Sequence, residues 1–128
     1  MKHEIISRRV YELKDGEPGC RVLVDRLWPR GVRREALGDF RWAKGLAPSP
    51  ELRRWFGHAE ERFDAFAGLY RAELDHNPEA RAFAAETAAI LERQDVLLLY
   101  AAKSPACNHA VVLKTWLLEQ MKGGSDHA

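Results

Sequence analysis

Two short stretches of the sequence concentrate side chains that can bind or react with a ligand. The first is Asp25–Gly31, which brings a carboxylate, guanidinium groups and an indole directly after the apolar run Arg21–Val24. The second is Lys103–His109, which brings an ammonium, a hydroxyl, a thiol, an amide and an imidazole after the apolar run Asp95–Ala102. Guanidinium and ammonium groups in such clusters favour recognition of a phosphate or a carboxylate.

The two stretches are expected to meet, because open α/β sheets bind ligands beyond the carboxyl ends of their strands. If both apolar runs are strands that point the same way, both stretches line one crevice. Ser104-Pro105 then begins a helix whose free N–H groups and dipole favour an anion, and Lys103 adds a full charge. Asp25 is expected to orient one of the two arginines that follow it. The candidate ligand-binding residues are Asp25, Arg26, Arg30, Lys103, Asn108 and His109.

Purely structural interpretations of these residues stay open. Arg26 and Arg30 could pair with Asp25 and only tie down the loop, since arginine–carboxylate clamps are common in proteins. Trp28 is interpreted as a packing residue rather than as a stacking platform for a ligand. Within the pair Arg53-Arg54, one side chain is expected to be solvated and the other free to face the crevice.

Cys107 and His109 are the candidate catalytic residues. A thiol at a helix N-terminus can ionise readily and act as a nucleophile, and a histidine can transfer protons near neutral pH. The alternatives are an inert thiol in the first helical turn and an imidazole that only bonds a backbone carbonyl. Two positions apart on one helix, their side chains would project about 200° apart and could not pair. Lys103 is then the local group able to favour the thiolate.

The composition argues against several classes of function. The chain has 20 basic and 19 acidic residues and a net charge of +1, so no whole-protein field favours nucleic acid or a membrane. Its 2 cysteines are too few for a disulfide framework, and its 5 histidines lack metal-ligand spacing. We therefore predict no metal and no cofactor. The N-terminus lacks the apolar stretch of a signal peptide, so a cytoplasmic location is expected. A homodimer is left open.

Helix starts share one signature, a capping side chain followed by proline at the first helical position. It occurs at Ser49-Pro50, Asn77-Pro78 and Ser104-Pro105. Apolar residues at helical spacing then predict the extent of each helix. The predicted helices are Pro50 to about Gly57, Glu60–His76, Pro78–Gln94 and Pro105–Met121.

Strands are predicted from apolar runs bounded by turns. Asp95–Ala102 is apolar almost throughout, as expected of a central strand covered on both faces, and Arg21–Leu27 is expected beside it. Ile5–Leu13 is a weaker strand whose direction is left open, and Asp39–Lys44 could add a fourth.

Together these elements predict a single small α/β domain over residues 1–122. Its sheet is expected to be three- or four-stranded, largely parallel or mixed, and flanked by helices. A disordered C-terminal tail is predicted over residues 123–128.

The same segments resemble successive blocks of a known family. The stretches "RVLVDRLWPRG", "WAKGLAPSPELRRWFGH", "FAGLYRAEL" and "LLLYAAKSPACNHAVVL" are similar to the YeaO-like proteins, a bacterial family catalogued as a domain of unknown function. The similarity extends from about Ile5 to Leu118. The resemblance implies an α/β fold with a crevice between the Asp25–Arg30 loop and the Tyr100–His109 loop. It implies no established reaction.

The chain departs from the wider superfamily at positions that matter for chemistry. That superfamily has Asp-Val-Arg and Pro-Arg after one strand, and Cys-Ala-Glu-Lys followed by Cys-His-Arg after another. Tyr100 stands in place of the first cysteine, Ala102 in place of the glutamate, and Asn108-His109 in place of His-Arg. Chemistry that needs the first cysteine or the glutamate is therefore not expected here.

The leading functional prediction is a crevice for a small anionic molecule that bears phosphate or carboxylate, nucleotide-like molecules included, with no reaction assigned. Such a protein could be an enzyme, with His109 or Cys107 as the reactive group, or a non-catalytic ligand-binding or protein-interaction module. A nucleic-acid-associated protein is the third alternative, which the balanced charge disfavours.

Overall fold

The computed structural model describes residues 3–126, with side chains described through Lys122. The described strands are β1 (Ile5–Arg9), β2 (Cys20–Leu23), β3 (Phe40–Trp42) and β4 (Val96–Tyr100). The described α-helices are α1 (Pro50–Phe56), α2 (Phe63–Asp75), α3 (Pro78–Ile90) and α4 (His109–Asp126). The predicted α/β fold class is confirmed.

Strand β4 lies inside the sheet, as its apolar sequence predicts. The strand order is β1-β4-β2-β3, and each neighbouring pair is parallel. Every residue of β4 is buried. The prediction that this strand lies in the sheet interior beside β2 is confirmed, and the sheet is a parallel one of 4 strands.

The direction of β1, which the sequence leaves open, is parallel to β4. Because β1 and β2 pair with opposite sides of β4, the segment between them passes across β4 instead of forming a hairpin. The segment approaches β4 closely at Gly19, which has φ 129° and whose added Cβ would lie 3.2 Å from Leu97 Cγ. Glycine is suited to this position because it has neither a Cβ nor a penalty for positive φ.

Helices cover one face of the sheet, whereas loops and short turns cover the other. Val22 and Leu98 face the helices and share a core with the buried Trp116 of α4. Leu23 and Leu99, which alternate with them, face the opposite way and pack in a second apolar cluster. This alternation follows from the two-residue period of a strand.

Trp28 packs in the second cluster, as predicted. Its ring centroid lies 5.6 Å from that of Phe40 and 5.4 Å from that of Trp42. Its indole N–H donates to the carbonyl of Val32 at 2.7 Å, which satisfies the polar atom that a half-buried tryptophan carries.

Two of the predicted proline-marked helix starts are confirmed. Ser49 Oγ accepts a hydrogen bond from the Leu52 amide at 3.2 Å and so caps α1. Asn77 Oδ1 accepts from the Glu79 amide at 3.0 Å and so caps α3. In both cases proline occupies the first helical position, where its missing N–H leaves no partner unsatisfied.

The predicted start of the last helix is wrong, because α4 begins at His109 and not at Pro105. Ser104 Oγ accepts from the Cys107 amide at 2.9 Å, so the serine caps a turn rather than a helix. Asn108 Oδ1 accepts from the Val111 amide at 3.1 Å and caps the helix instead. Two capping residues compete in this segment, and the asparagine, a strong N-cap type, sets the helix start.

Other boundaries differ by a few residues. A short 3-10 turn over Glu60–Arg62 precedes α2, and α3 ends at Ile90. The backbone of α4 continues to Asp126, beyond the predicted end at Met121. The disordered tail over residues 123–128 stays a prediction: the backbone of residues 123–126 is helical, and residues 127 and 128 lie outside the described part of the chain.

Candidate functional site

The loops that follow β2 and β4 line a shared cavity of about 820 Å³. The loops meet because the two strands are parallel and in register, with Leu23 opposite Leu99. Both strands therefore end at the same edge of the sheet. The structure brings together the predicted ligand-binding residues, all of which line this cavity: Asp25, Arg26, Arg30, Lys103, Asn108 and His109.

Asp25 faces His109 and the end of the neighbouring strand. Its Oδ2 accepts from the Ala101 amide at 3.0 Å, and its Oδ1 lies 3.2 Å from His109 Nε2. His109 Nε2 also lies 3.0 Å from the carbonyl oxygen of Val24. Both neighbours of Nε2 are acceptors, so this nitrogen carries a proton. The side chains of His109 and Asp25 are only 16% and 15% exposed, so their contact is largely shielded from water.

The expectation that Asp25 orients or pairs with an arginine is therefore wrong. The Asp25 side chain turns back to the strand end at Ala101, where it satisfies a backbone N–H that the sheet leaves unpaired. Arg26 instead donates from Nη2 to the carbonyl oxygen of Pro48 at 3.2 Å. The Arg26 Nε is buried and has no hydrogen-bond partner among the described residues.

Helix α2 fixes the loop that holds Arg26. The carboxylate of Glu73 accepts from the Ser49 amide at 2.9 Å and from Ser49 Oγ at 2.6 Å. Ser49 directly follows Pro48, whose carbonyl holds the guanidinium. The position of Arg26 thus depends on a chain of contacts that ends on helix α2.

Arg9 and Tyr11 join the two loops, and the sequence argument missed both. Arg9 Nε donates to the carbonyl oxygen of Ala102 at 3.1 Å, and its guanidinium lies 4.8 Å from the centroid of the Tyr11 ring. The Tyr11 hydroxyl donates to the carbonyl oxygen of Arg30 at 2.8 Å. Arg9 is the last residue of β1, so knowing that β1 is parallel to β4 would have placed it at this edge.

Asn108 shapes the loop and does not present a free polar group to the cavity. It is 1% exposed. Its Oδ1 caps α4 and its Nδ2 donates to the carbonyl oxygen of Ser104 at 2.8 Å. Lys103, by contrast, is exposed at the rim.

Cys107 lines the cavity but precedes α4. The side chain is half-buried, and its backbone amide donates to Ser104 Oγ. The predicted separation of about 200° between the Cys107 and His109 side chains requires both residues to lie on one helix, and it does not apply to this turn.

The cavity is more positive than the molecule as a whole. Two carboxylates, Asp25 and Glu60, and five basic side chains line it, an excess of three positive charges. The complete chain has a net charge of +1. Arg53, from α1, is the member of the Arg53-Arg54 pair that lines the cavity. The basic lining residues are Arg9, Arg26, Arg30, Arg53 and Lys103.

Tyr70 lies behind His109 and stays neutral. Its hydroxyl donates to the carbonyl oxygen of Leu46 at 2.6 Å, and its ring is edge-on to His109 with centroids 6.2 Å apart. Burial, together with the negative charges of Glu73 and Asp25, raises the pKa of the Tyr70 hydroxyl. Tyr70 thus packs behind His109 as a buried neutral ring and does not act as an acid.

His58 lines the cavity and has an unusual backbone conformation. It has φ 60°, a positive value rare for residues other than glycine, and follows Gly57, which has φ 53° and ends α1. Such conformations cost free energy and are common near functional sites.

The described residues contain no cluster of three or more histidine, cysteine or carboxylate side chains that could hold a metal ion. In that part of the chain, no helix combines the length and the apolar character needed to span a bilayer.

Over residues 4–128 the sequence matches a family model described as the inactive DUF488-N3 subclade. The chain belongs to this family. Its YeaO-like character is seen in the uncharacterised protein YeaO of Escherichia coli K12, which is 40% identical over 114 residues, covering 88% of this chain and 96% of the relative. The uncharacterised proteins Mb3100c of Mycobacterium bovis and Rv3073c of Mycobacterium tuberculosis are each 45% identical over 105 residues, covering 82% of this chain and 86% of the relative. No solved structure matches the chain significantly.

Proposed function

We propose that this YeaO-like protein binds a small anion bearing phosphate or carboxylate in the cavity between the β2 and β4 loops. The observation that carries the proposal is the cluster of basic side chains around one concave space, in a chain whose total charge is close to zero. A cleft lined by one sign of charge concentrates ligands of the opposite sign.

Arg26 supports an anion in this position. Its Nε is a buried donor with no hydrogen-bond partner among the described residues. Nearly all buried polar groups in proteins are hydrogen-bonded, so an unpaired donor calls for a partner such as water or a ligand oxygen. The Pro48 carbonyl holds one end of the guanidinium, which limits the entropy lost when an anion binds.

Several features favour binding without catalysis. His109 Nε2 is engaged by the Val24 carbonyl and lies beside Asp25, and both polar ends of the Asn108 side chain are used within the fold. The matching family model is described as inactive. We therefore propose a ligand-binding role and no reaction for this protein, and its cytoplasmic location stays a prediction from the sequence.

Calorimetric titration with inorganic phosphate tests the proposal. Wild-type protein should bind phosphate, and Arg26→Gln and Lys103→Gln should each weaken binding about tenfold or more, because each removes a charged hydrogen bond. Arg93→Gln, at an exposed arginine outside the cavity, is the matched control and should bind as the wild type does. An equal loss of phosphate affinity in Arg93→Gln would mean that binding depends only on the total charge of the protein. The absence of binding to phosphate and carboxylates would refute the proposal.

A further inference from the structure

Two large apolar side chains stand exposed where the cavity opens. Leu27 is 60% exposed and Tyr11 is 45% exposed, and both line the cavity. Exposed apolar surface that borders a cavity is a feature of ligand-binding sites, because covering it releases free energy.

Tyr11 offers a ligand apolar surface but no free hydrogen-bond donor. Its hydroxyl donates a hydrogen bond to the carbonyl of Arg30, and the Arg9 guanidinium lies against its ring. These contacts hold the ring in place beside the basic residues, so contact with a ligand costs little further ordering. Arg9 is tied in turn to the carbonyl of Ala102.

The interior of the cavity is also partly aromatic. Phe56 and Phe66, both buried, line it and stack with ring centroids 4.2 Å apart. A simple inorganic anion would use the basic side chains alone and leave this apolar lining and the exposed Leu27 uncovered.

We propose that the ligand is an anion attached to a planar apolar ring, in the class of aryl phosphates and nucleoside monophosphates. The phosphate meets Arg26 and Lys103, and the ring covers Leu27 and Tyr11. This inference rests on the proposed function, because it specifies which anion the same cavity binds.

Calorimetry with four probes tests the inference: inorganic phosphate, ribose 5-phosphate, phenyl phosphate and adenosine 5′-monophosphate. A ring-bearing probe should bind at least about tenfold more tightly than phosphate and ribose 5-phosphate, the scale expected when a leucine side chain is covered. Comparison of phenyl phosphate with adenosine 5′-monophosphate then shows whether a simple aryl group or a nucleoside is preferred.

Leu27→Ser should remove most of the preference for the ring-bearing probe. Leu69→Ser is the matched control, because Leu69 is 51% exposed on α2 and does not line the cavity, and it should keep the full preference. Thermal melts of both variants establish that they are folded.

Two results would overturn the inference while leaving anion binding intact. One is equal affinity for all four probes, and the other is a ring preference that Leu27→Ser does not reduce. Failure of all four probes and of simple carboxylates to bind would instead overturn the proposed function itself.

Discussion

At the scale of single residues, the contact between Asp25 and His109 organises the cavity wall. One carboxylate oxygen holds the Ala101 amide, and the other faces the protonated Nε2 of His109. A single side chain thereby links the end of β4 to the start of α4. This contact, and not an arginine clamp, explains why an aspartate lies two residues after the end of β2.

Replacing this carboxylate by an amide should destabilise the fold. In Asp25→Asn, one orientation of the amide keeps the bond to Ala101 but turns an N–H toward the Nε2 proton of His109. We expect a loss of about 1–3 kcal/mol in the free energy of unfolding, the usual cost of an unsatisfied buried polar group. Urea denaturation measures it, with Asp15→Asn in an exposed turn as the control. Equal stability of the two variants would rule out this role of Asp25.

A substitution at His58 should instead stabilise the fold. Because His58 has φ 60°, His58→Gly should relieve strain and raise the free energy of unfolding by about 0.5–1 kcal/mol, after subtraction of the entropy that glycine loses on folding. Gly57→Ala should lower it, because Gly57 also has positive φ. A thermal melt in which His58→Gly loses stability would show that side-chain contacts of His58 outweigh the strain.

At the scale of elements, the loop that carries the chain from β1 to β2 depends on Glu17. Its carboxylate accepts from Arg8 Nε at 2.9 Å and from Arg8 Nη2 at 2.7 Å, and also from the Lys14 amide. Burial raises the pKa of Glu17, but the hydrogen bonds from Arg8 and from the Lys14 amide, together with the positive charges of Arg8 and Arg21, outweigh it, and the net pKa is lowered.

The lowered pKa predicts how the stability of this loop depends on pH. A carboxyl group whose pKa is lower in the folded protein stabilises the fold above its ordinary pKa of about 4.3, and this contribution is lost as pH falls toward the folded value. Glu17→Gln should therefore be less stable than the wild type at pH 7, and the difference should shrink below about pH 4. Urea titrations across this range test it. A constant difference at every pH would mean that the charge of Glu17 is not responsible.

The elements that sequence reasoning predicted correctly are those with a strong local cause. β4 was recognisable because its residues are apolar on both faces, and α1 and α3 because a cap and a proline mark their starts. The start of α4 was missed because Ser104 and Asn108 are both good caps, and only the packed structure shows which one is used.

At the scale of the whole molecule, parallel strands bring together residues that are far apart in sequence. The carboxyl ends of β1, β2 and β4 meet at one edge of the sheet, where Arg9, Asp25 and Lys103 line the same cavity. Sequence reasoning placed the loops after β2 and β4 together but omitted Arg9 and Tyr11. Their position depends on the direction of β1, which the length of its connection to β2 does not determine.

The charge of the cavity was also beyond what composition could reveal. A total charge of +1 is compatible with any distribution of the 20 basic and 19 acidic residues. The excess of three positive charges at the cavity arises from the fold, which gathers basic residues from several separate segments. Local electrostatics of this kind guides a small ligand without attracting long polyanions.

A crystal structure of the wild-type protein grown with phosphate would show directly whether the cavity binds an anion. We predict a phosphate in the cavity between the β2 and β4 loops, with oxygen atoms within hydrogen-bond distance of the Arg26 guanidinium and the Lys103 ammonium. An empty cavity at saturating phosphate, or phosphate bound only at surfaces away from Arg26 and Lys103, would contradict it.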